Sequence, residues 1–204
     1  MLKKLGKTKT IKQDQSGLEV PPGQYVTEKF PVLTEGPVPP VDLKTWRFRM
    51  FGLVEKEKEL TWEQFLSLPQ VKIDAAFHCV TQWSRLQNTW EGVLFSEVLK
   101  LVKSLPQAKF AMIHCLGGYS TNLSLTELLD NDVLFAHRHD GALLSKEHGG
   151  PLRLVVPKLY GWKSAKWANG IELMQNNKPG FWEERGYNMH GDPWKEERFW
   201  PELS

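Results

Sequence analysis

The chain has 204 residues, enough for one compact domain with a substantial core and too few for two large ones. Its 41% hydrophobic, 25% charged and 11% aromatic residues suit a globular fold and exclude a disordered chain. A formal charge of +2, from 26 basic and 24 acidic side chains, gives no field strong enough to gather nucleic acid or an anionic membrane.

Residues 1–20 read as a flexible basic tail carrying Lys3, Lys4, Lys7, Lys9 and Lys12, and residues 21–204 as a single domain. No apolar run follows the tail and no twin-Arg pair appears. No stretch approaches the ~18 to 20 apolar residues of a membrane-spanning helix, so the expectation is a soluble protein of the cytoplasm. The segment VPPGQYVTEKFPVLTEGPVPPVD then holds six of the 13 prolines. Proline lacks a ladder donor and biases its predecessor toward extended backbone, so this arm should lie across a surface, docked through Tyr25, Phe30, Val32 and Leu33.

Trp46, Phe48 and Met50 alternate with Arg47 and Arg49 before Gly52, the pattern of a half-buried strand ending in a turn. A helix should follow, capped by Thr61 with Gln64 three residues on and stopped by Pro69. Residues 71–80 read as a strand and 95–102 as a helix. Residues 110–116 read as a strand emptying into a Gly117-Gly118-Tyr119 turn, and 125–129 as a short helix capped by Ser124 with Glu127. Strands are expected over 152–156 and 167–174, then an irregular Trp-rich tail from Phe181. Strands and short helices without a regular βαβ beat predict an α+β domain with a mixed sheet, and no Gly-rich phosphate loop follows any strand.

Cys79 closes an apparent strand in DAAFHCVTQWS, where buried alternation gives way to a polar, aromatic loop. It can be a small core hydrophobe, a nucleophile, a zinc ligand or a soft thiolate ligand to a heavier metal. A nucleophile activated by His78 is awkward, because consecutive strand residues face opposite ways. Zinc would want clustered ligands, yet there is no Cys-x-x-Cys pair, and His137 and His139 beside Arg138 and Asp140 suggest a solvated turn. Cys79 and Cys115 could form at most one disulfide.

FHCVTQWS, then NTWEGV, GGYSTNLSL and HGGPLRLVVPKLYGWKSAKW occur in that order. Together they resemble the molybdopterin domain of the sulfite-oxidase-like oxidoreductases, which include sulfite oxidases, plant nitrate reductases and the bacterial methionine sulfoxide reductase catalytic subunit. The resemblance implies a sulfite-oxidase-type α+β fold and a molybdenum-molybdopterin cofactor. It implies two-electron oxygen-atom transfer on a small sulfite-, sulfoxide- or N-oxide-like substrate. Cys79 falls on the family's cysteine ligand to molybdenum, and soft sulfur suits such a metal.

By the same resemblance His148, Arg153, Ser164, Ala165 and Lys166 contact the cofactor. Arg offers its phosphate a planar clamp and Lys a point charge, while Gly149, Gly150 and Gly161 allow close backbone approach. Cys115 lies where the reductase branch has a cofactor-contacting threonine, and Phe30, Pro31 and Val32 fall on the family's N-terminal cofactor strand. Tyr119 matches an active-site tyrosine, and Arg85 remains as a substrate-facing arginine. The pattern departs where sulfite oxidases place an arginine pair after the cysteine and an Arg and a His in the arm. Here Thr81, Gln82, Trp83, Ser84 and Arg85 follow the cysteine, and Leu33, Thr34 and Glu35 occupy the arm. Only Trp83 and Trp90 among the nine tryptophans flank this chemistry; the others read as structural packing. No haem-attachment, flavin or iron–sulfur pattern is present, so electrons should pass to or from a separate protein or small carrier. The competing readings are a non-catalytic aromatic-rich binding module and a protein that holds cofactor without turnover.

Overall fold

The computed structural model describes Lys12, Gln13, Gly17 and residues 19–200. Lys3, Lys4, Lys7 and Lys9 of the expected tail lie outside the described residues. Within that tail β1 (Lys12–Gln13) pairs antiparallel with β2 (Glu19–Val20), and Val20 is buried. The Pro-rich arm follows with β3 (Tyr25–Val26).

Alternation then builds β4 (Arg47–Gly52), whose Phe48 and Met50 point into the core while Arg49 faces solvent. It is followed by β5 (Lys58–Thr61) and α1 (Trp62–Leu66). Thr61 caps α1 as expected: its Oγ1 accepts from the Gln64 N–H at 3.2 Å and the Gln64 Oε1 accepts from the Thr61 N–H at 2.9 Å. The chain continues through β6 (Val71–Asp74), β7 (Phe77–His78), β8 (Trp83–Arg85), β9 (Thr89–Leu94) and α2 (Phe95–Leu99). Next come β10 (Phe110–Cys115), β11 (Ser120–Ser124), α3 (Leu125–Leu128) and β12 (Leu134–His139). Strands β13 (Ala142–Leu143), β14 (Arg153–Val155) and β15 (Ala168–Met174) complete the set, and the C-terminal segment is irregular apart from a short 3-10 turn at Glu183–Arg185.

One mixed sheet has the order β11-β10-β15-β4-β5, with β15 and β4 parallel. A second, antiparallel, has the order β13-β12-β9-β6 with β14 also on β12. The main core includes Phe48, Phe65, Phe95, Phe135 and Ile113. A small sheet, β3-β8-β7, lies against the second sheet through a second cluster in which Phe77, Cys79 and Trp83 join Trp90 of β9. Mixed sheets with few, short helices make the fold α+β. Among the described residues no helix is long and apolar enough to cross a membrane.

Three expectations are corrected. The single strand over 71–80 breaks at Ala75, where the Ala75 N–H donates to Asn88 O and Asn88 Nδ2 donates back to Ala75 O, so β6 and β7 join different sheets. His137 and His139 lie on β12 rather than on a solvated turn. A register shift between Ala136 and Arg138 sends His139 inward, with its ring centroid 4.2 Å from that of Trp90. The helix over 95–102 ends at Leu99, and both cysteines are free thiols.

Candidate active site

Cys79 sits just past β7 at the start of a tight turn. Its N–H donates to Trp83 O at 2.8 Å, and the Gln82 N–H returns to Cys79 O at 3.1 Å. Gln82 takes a left-handed φ of 74°, an uncommon conformation for a residue with a side chain, which the surrounding bonds must hold. The Cys79 Sγ lies 3.1 Å from Thr81 Oγ1. The thiol residue lines a cavity of about 270 Å³, near the lower end of the ~300–1,000 Å³ usual for small-molecule sites.

Arg153, at the start of β14, comes in from the second sheet and is 1% exposed. Its Nη1 donates to His148 O at 3.0 Å and its Nη2 to Ser164 O at 2.9 Å, while Nε is buried with no partner. The guanidinium lies over the rings of Phe77 at 5.2 Å, Trp90 at 5.4 Å and Phe30 at 5.8 Å. Burial pulls its pKa down to about 10, so it stays a cation at neutral pH.

Lys166 Nζ donates to Leu33 O and Glu147 O, each at 2.7 Å. Burial, then the charge of Arg153, lowers this amine to about 7. Burial, then the charges of Arg153 and Lys166, holds His148 at about 4, a neutral imidazole at pH 7. The Ser164 Oγ accepts from the Val156 N–H at 2.9 Å. The Tyr119 hydroxyl donates to Trp162 O at 2.6 Å, and burial raises its phenol well above the usual range.

Of the residues predicted from sequence, Phe30, Pro31, Cys79, Tyr119, His148, Arg153, Ser164, Ala165 and Lys166 line this one cavity. Val32, Cys115 and Arg85 are not part of its lining. Val32 faces solvent on the arm. Cys115 is packed in the main core, where burial raises its thiol strongly. Arg85 is held elsewhere: Nη2 pairs with Asp140 at 2.6 Å, Nη1 reaches Asn88 Oδ1 and His139 Nε2, and Nε donates to Glu28 O. Gly161 also lines the cavity, and a Cβ there would lie 2.5 Å from the Phe77 ring; one at Gly149 would lie 2.9 Å from Lys166 Cα.

Three tryptophans read as structural, Trp162, Trp167 and Trp182, line the cavity, and so does Tyr187. Trp90 instead stands behind Arg153 with its ring fully buried. Trp162 and Trp167 bracket the Ser164–Lys166 block, a proximity visible in the sequence. Nothing in the sequence connects Trp182 and Tyr187 to Cys79.

A soft sulfur donor, a buried guanidinium whose Nε–H is unspent, a partly buried ammonium and aromatic walls thus converge on one cavity. Residues 35–182 match the family described as the oxidoreductase molybdopterin-binding domain, and the chain belongs to that family. It is a molybdopterin-dependent oxidoreductase of the sulfite oxidase type.

The chain is 44% identical to the uncharacterized oxidoreductase YuiH of Bacillus subtilis, over 94% of its own length and 96% of that protein. It is 29% identical to a putative protein-methionine-sulfoxide reductase subunit, YedZ1, of Azospira oryzae, covering 83% of this chain and 66% of that one. With the sulfite oxidase of Arabidopsis thaliana it shares 28% identity over 81% of its length, spanning 52% of that enzyme. The fold matches the sulfane dehydrogenase SoxCD of Paracoccus pantotrophus with a TM-score of 0.62 at 24% identity, over 67% of this chain and 40% of that one. Family membership removes the reading as a non-catalytic aromatic-rich module.

The donor set fits the cofactor. A thiolate suits a metal already held by dithiolene sulfurs, and the buried, unspent Arg153 Nε–H suits an anionic group.

Proposed function

We propose that the protein carries out two-electron oxygen-atom transfer on a small, neutral oxo substrate of the sulfoxide or N-oxide kind, with electrons from a separate carrier. The observation that carries this reading is the convergence of Cys79, Arg153 and Lys166 on one largely apolar cavity. Cys79 would ligate the molybdenum. Arg153 and Lys166 would hold the pterin and its phosphate, and His148, Ser164, Ala165, Phe30 and Pro31 would complete the cradle. The bound group supplies the redox change and the oxygen-accepting metal.

Neutral substrates are favoured by charge. Arg153 and Lys166 are committed to the cofactor in this reading, and Arg85 is tied to Asp140. The remaining charged residue in the lining is Glu35. A doubly charged anion entering there would lose hydration without gaining a compensating cation. The aromatic walls, including Trp83, Trp162, Trp182 and Tyr187, suit an apolar substituent beside the oxo group. Tyr119, its hydroxyl proton already donated to Trp162 O, can still accept a hydrogen bond from a bound molecule.

Holo-protein in a dye-coupled assay, offered sulfite for oxidation and sulfoxides, N-oxides and nitrate for reduction, tests the reading. Reduction of the neutral oxo compounds is the expected result, abolished in Cys79→Ser. Turnover of sulfite alone would overturn the substrate class, and silence on all of them would overturn oxygen-atom transfer.

A further inference from the structure

The turn that presents Cys79 is held from outside by both ends of the described chain. From the N-terminal arm, Gln24 Nε2 donates to Cys79 O at 3.1 Å, and the Tyr25 N–H donates to Gln82 O at 2.9 Å. From the C-terminal segment, Arg198 Nη1 donates to Val80 O. Cys79 O also accepts from the Gln82 N–H, so two donors saturate it.

Neither Gln24 nor Arg198 is loosely placed. Gln24 is 6% exposed, and its Oε1 accepts from Ser84 Oγ at 3.4 Å. Ser84 in turn shares a 2.8 Å hydrogen bond with His78 Nδ1. The Arg198 guanidinium lies over the Tyr160 ring at 4.9 Å. The two ends also meet: a Cβ on Gly23 would lie 2.9 Å from the Glu196 carboxylate and 3.5 Å from Arg198 Nη2.

Both residues fall outside the segment 35–182 that carries the family match. The turn they hold contains Gln82 in a left-handed conformation, which is strained for a residue with a side chain and persists only when its surroundings over-determine it. The sulfur is two bonds from the Cys79 Cα, so any drift of the Cys79 and Val80 carbonyls reorients the Cα–Cβ vector and moves the sulfur.

We infer that Gln24 and Arg198 are positioning residues for Cys79: gripping the carbonyls of Cys79 and Val80 from the two chain ends, they fix the direction in which the sulfur enters the cavity. The inference rests on Cys79 being the metal ligand, as proposed above. It adds that the arm and the C-terminal segment are part of the site's machinery.

The test uses Gln24→Met and Arg198→Met, which keep bulk and remove the donor, and Arg198→Lys, which restores one. In the cofactor-free full chain, alkylation by iodoacetamide is followed at both cysteines by peptide mass spectrometry. Loss of one such bond from a local opening equilibrium should speed Cys79 labelling about tenfold, with Cys115 unchanged and the Lys variant partly rescued. In the loaded enzyme the electron paramagnetic resonance of half-reduced molybdenum should shift in the Met variants, because it reports the orientation of the sulfur ligand. Cys79 labelling within twofold of the parent, or equal acceleration at Cys115, would overturn the inference in favour of general packing. Full turnover in Cys79→Ser would instead refute the ligand assignment and leave the labelling result standing.

Discussion

Phe30 lies flat on the imidazole of His148, with ring centroids 4.5 Å apart and planes within 2° of parallel. The same phenylalanine meets Phe77, Trp83 and Trp90 edge-on and comes under the Arg153 guanidinium. One side chain from the Pro-rich arm therefore packs against both a histidine and an arginine assigned to the cofactor. Phe30→Ala should cost about 2–3 kcal/mol of stability, below the range for a fully enclosed Phe because Phe30 is only partly buried. It should also lower molybdenum content per chain, because His148 loses the surface that sets its plane. Urea unfolding and elemental analysis of the same preparation check both halves. Unchanged metal content would remove Phe30 from the cradle.

Arg85 gives a contrasting expectation. Its guanidinium bonds to Asp140, Asn88, His139 and Glu28 O and does not reach the cavity lining. Arg85→Met should therefore leave KM for a neutral oxo substrate within about twofold, since no substrate contact is removed. Stability should fall by about 1.5–3 kcal/mol, the range for hydrogen bonds to charged groups. A KM raised tenfold or more with intact stability would return Arg85 to the substrate.

Much of this site was legible in the sequence, for reasons that differ by residue. The Thr61 and Ser124 caps and the alternation of Phe48 and Met50 are local signals, and the structure repeats them. Cys79, His148, Arg153 and Lys166 carry no spacing that brings them together; the order of their motifs did so, through the family resemblance. Strand β9 is not legible in the sequence, because Glu91 and Gly92 spoil its apolar pattern. Gly92 is explained only by its partner, since a Cβ there would lie 2.0 Å from Phe135 O. Trp182 and Tyr187 reach the cavity through the irregular C-terminal segment, whose path depends on buried ionic contacts with distant residues.

The main such contact is Lys163 with Glu183, 2.6 Å apart with side chains 1% and 0% exposed. Lys163 Nζ also donates to Asn122 O, Asn122 Oδ1 and Met189 O, and Glu183 Oε1 accepts from Trp162 Nε1 and Thr121 Oγ1. Removing one partner strands a charge in a fully buried site. Glu183→Ala should cost about 3–5 kcal/mol, and the Lys163→Met, Glu183→Leu pair much less than the sum of its single changes. Denaturant midpoints of the four proteins give the coupling. Strict additivity would mean that the pair does not act as a unit.

His190 makes stability depend on pH in the alkaline range. Its ring lies between Glu127 and Glu197, bonded to Glu127 through Nε2 and to Glu197 through Nδ1 at 2.6 Å. The Glu127 hydrogen bond, opposed by burial and aided by Glu197, raises its pKa to about 9. An unfolded histidine titrates near ~6.5. The folded state therefore binds the proton more tightly, and the stabilisation is fully present below pH 6.5 and is lost as pH rises through about 9. Glu127 belongs to the first turn of α3 and its carboxylate also accepts from Ser124 Oγ, so losing the imidazolium loosens the C-terminal segment from that helix. The melting temperature of the parent should fall between pH 7 and pH 9.5 more steeply than that of His190→Gln, whose side chain has no proton to lose in that window. Parallel profiles for the two proteins would show that the imidazolium does not stabilise this contact.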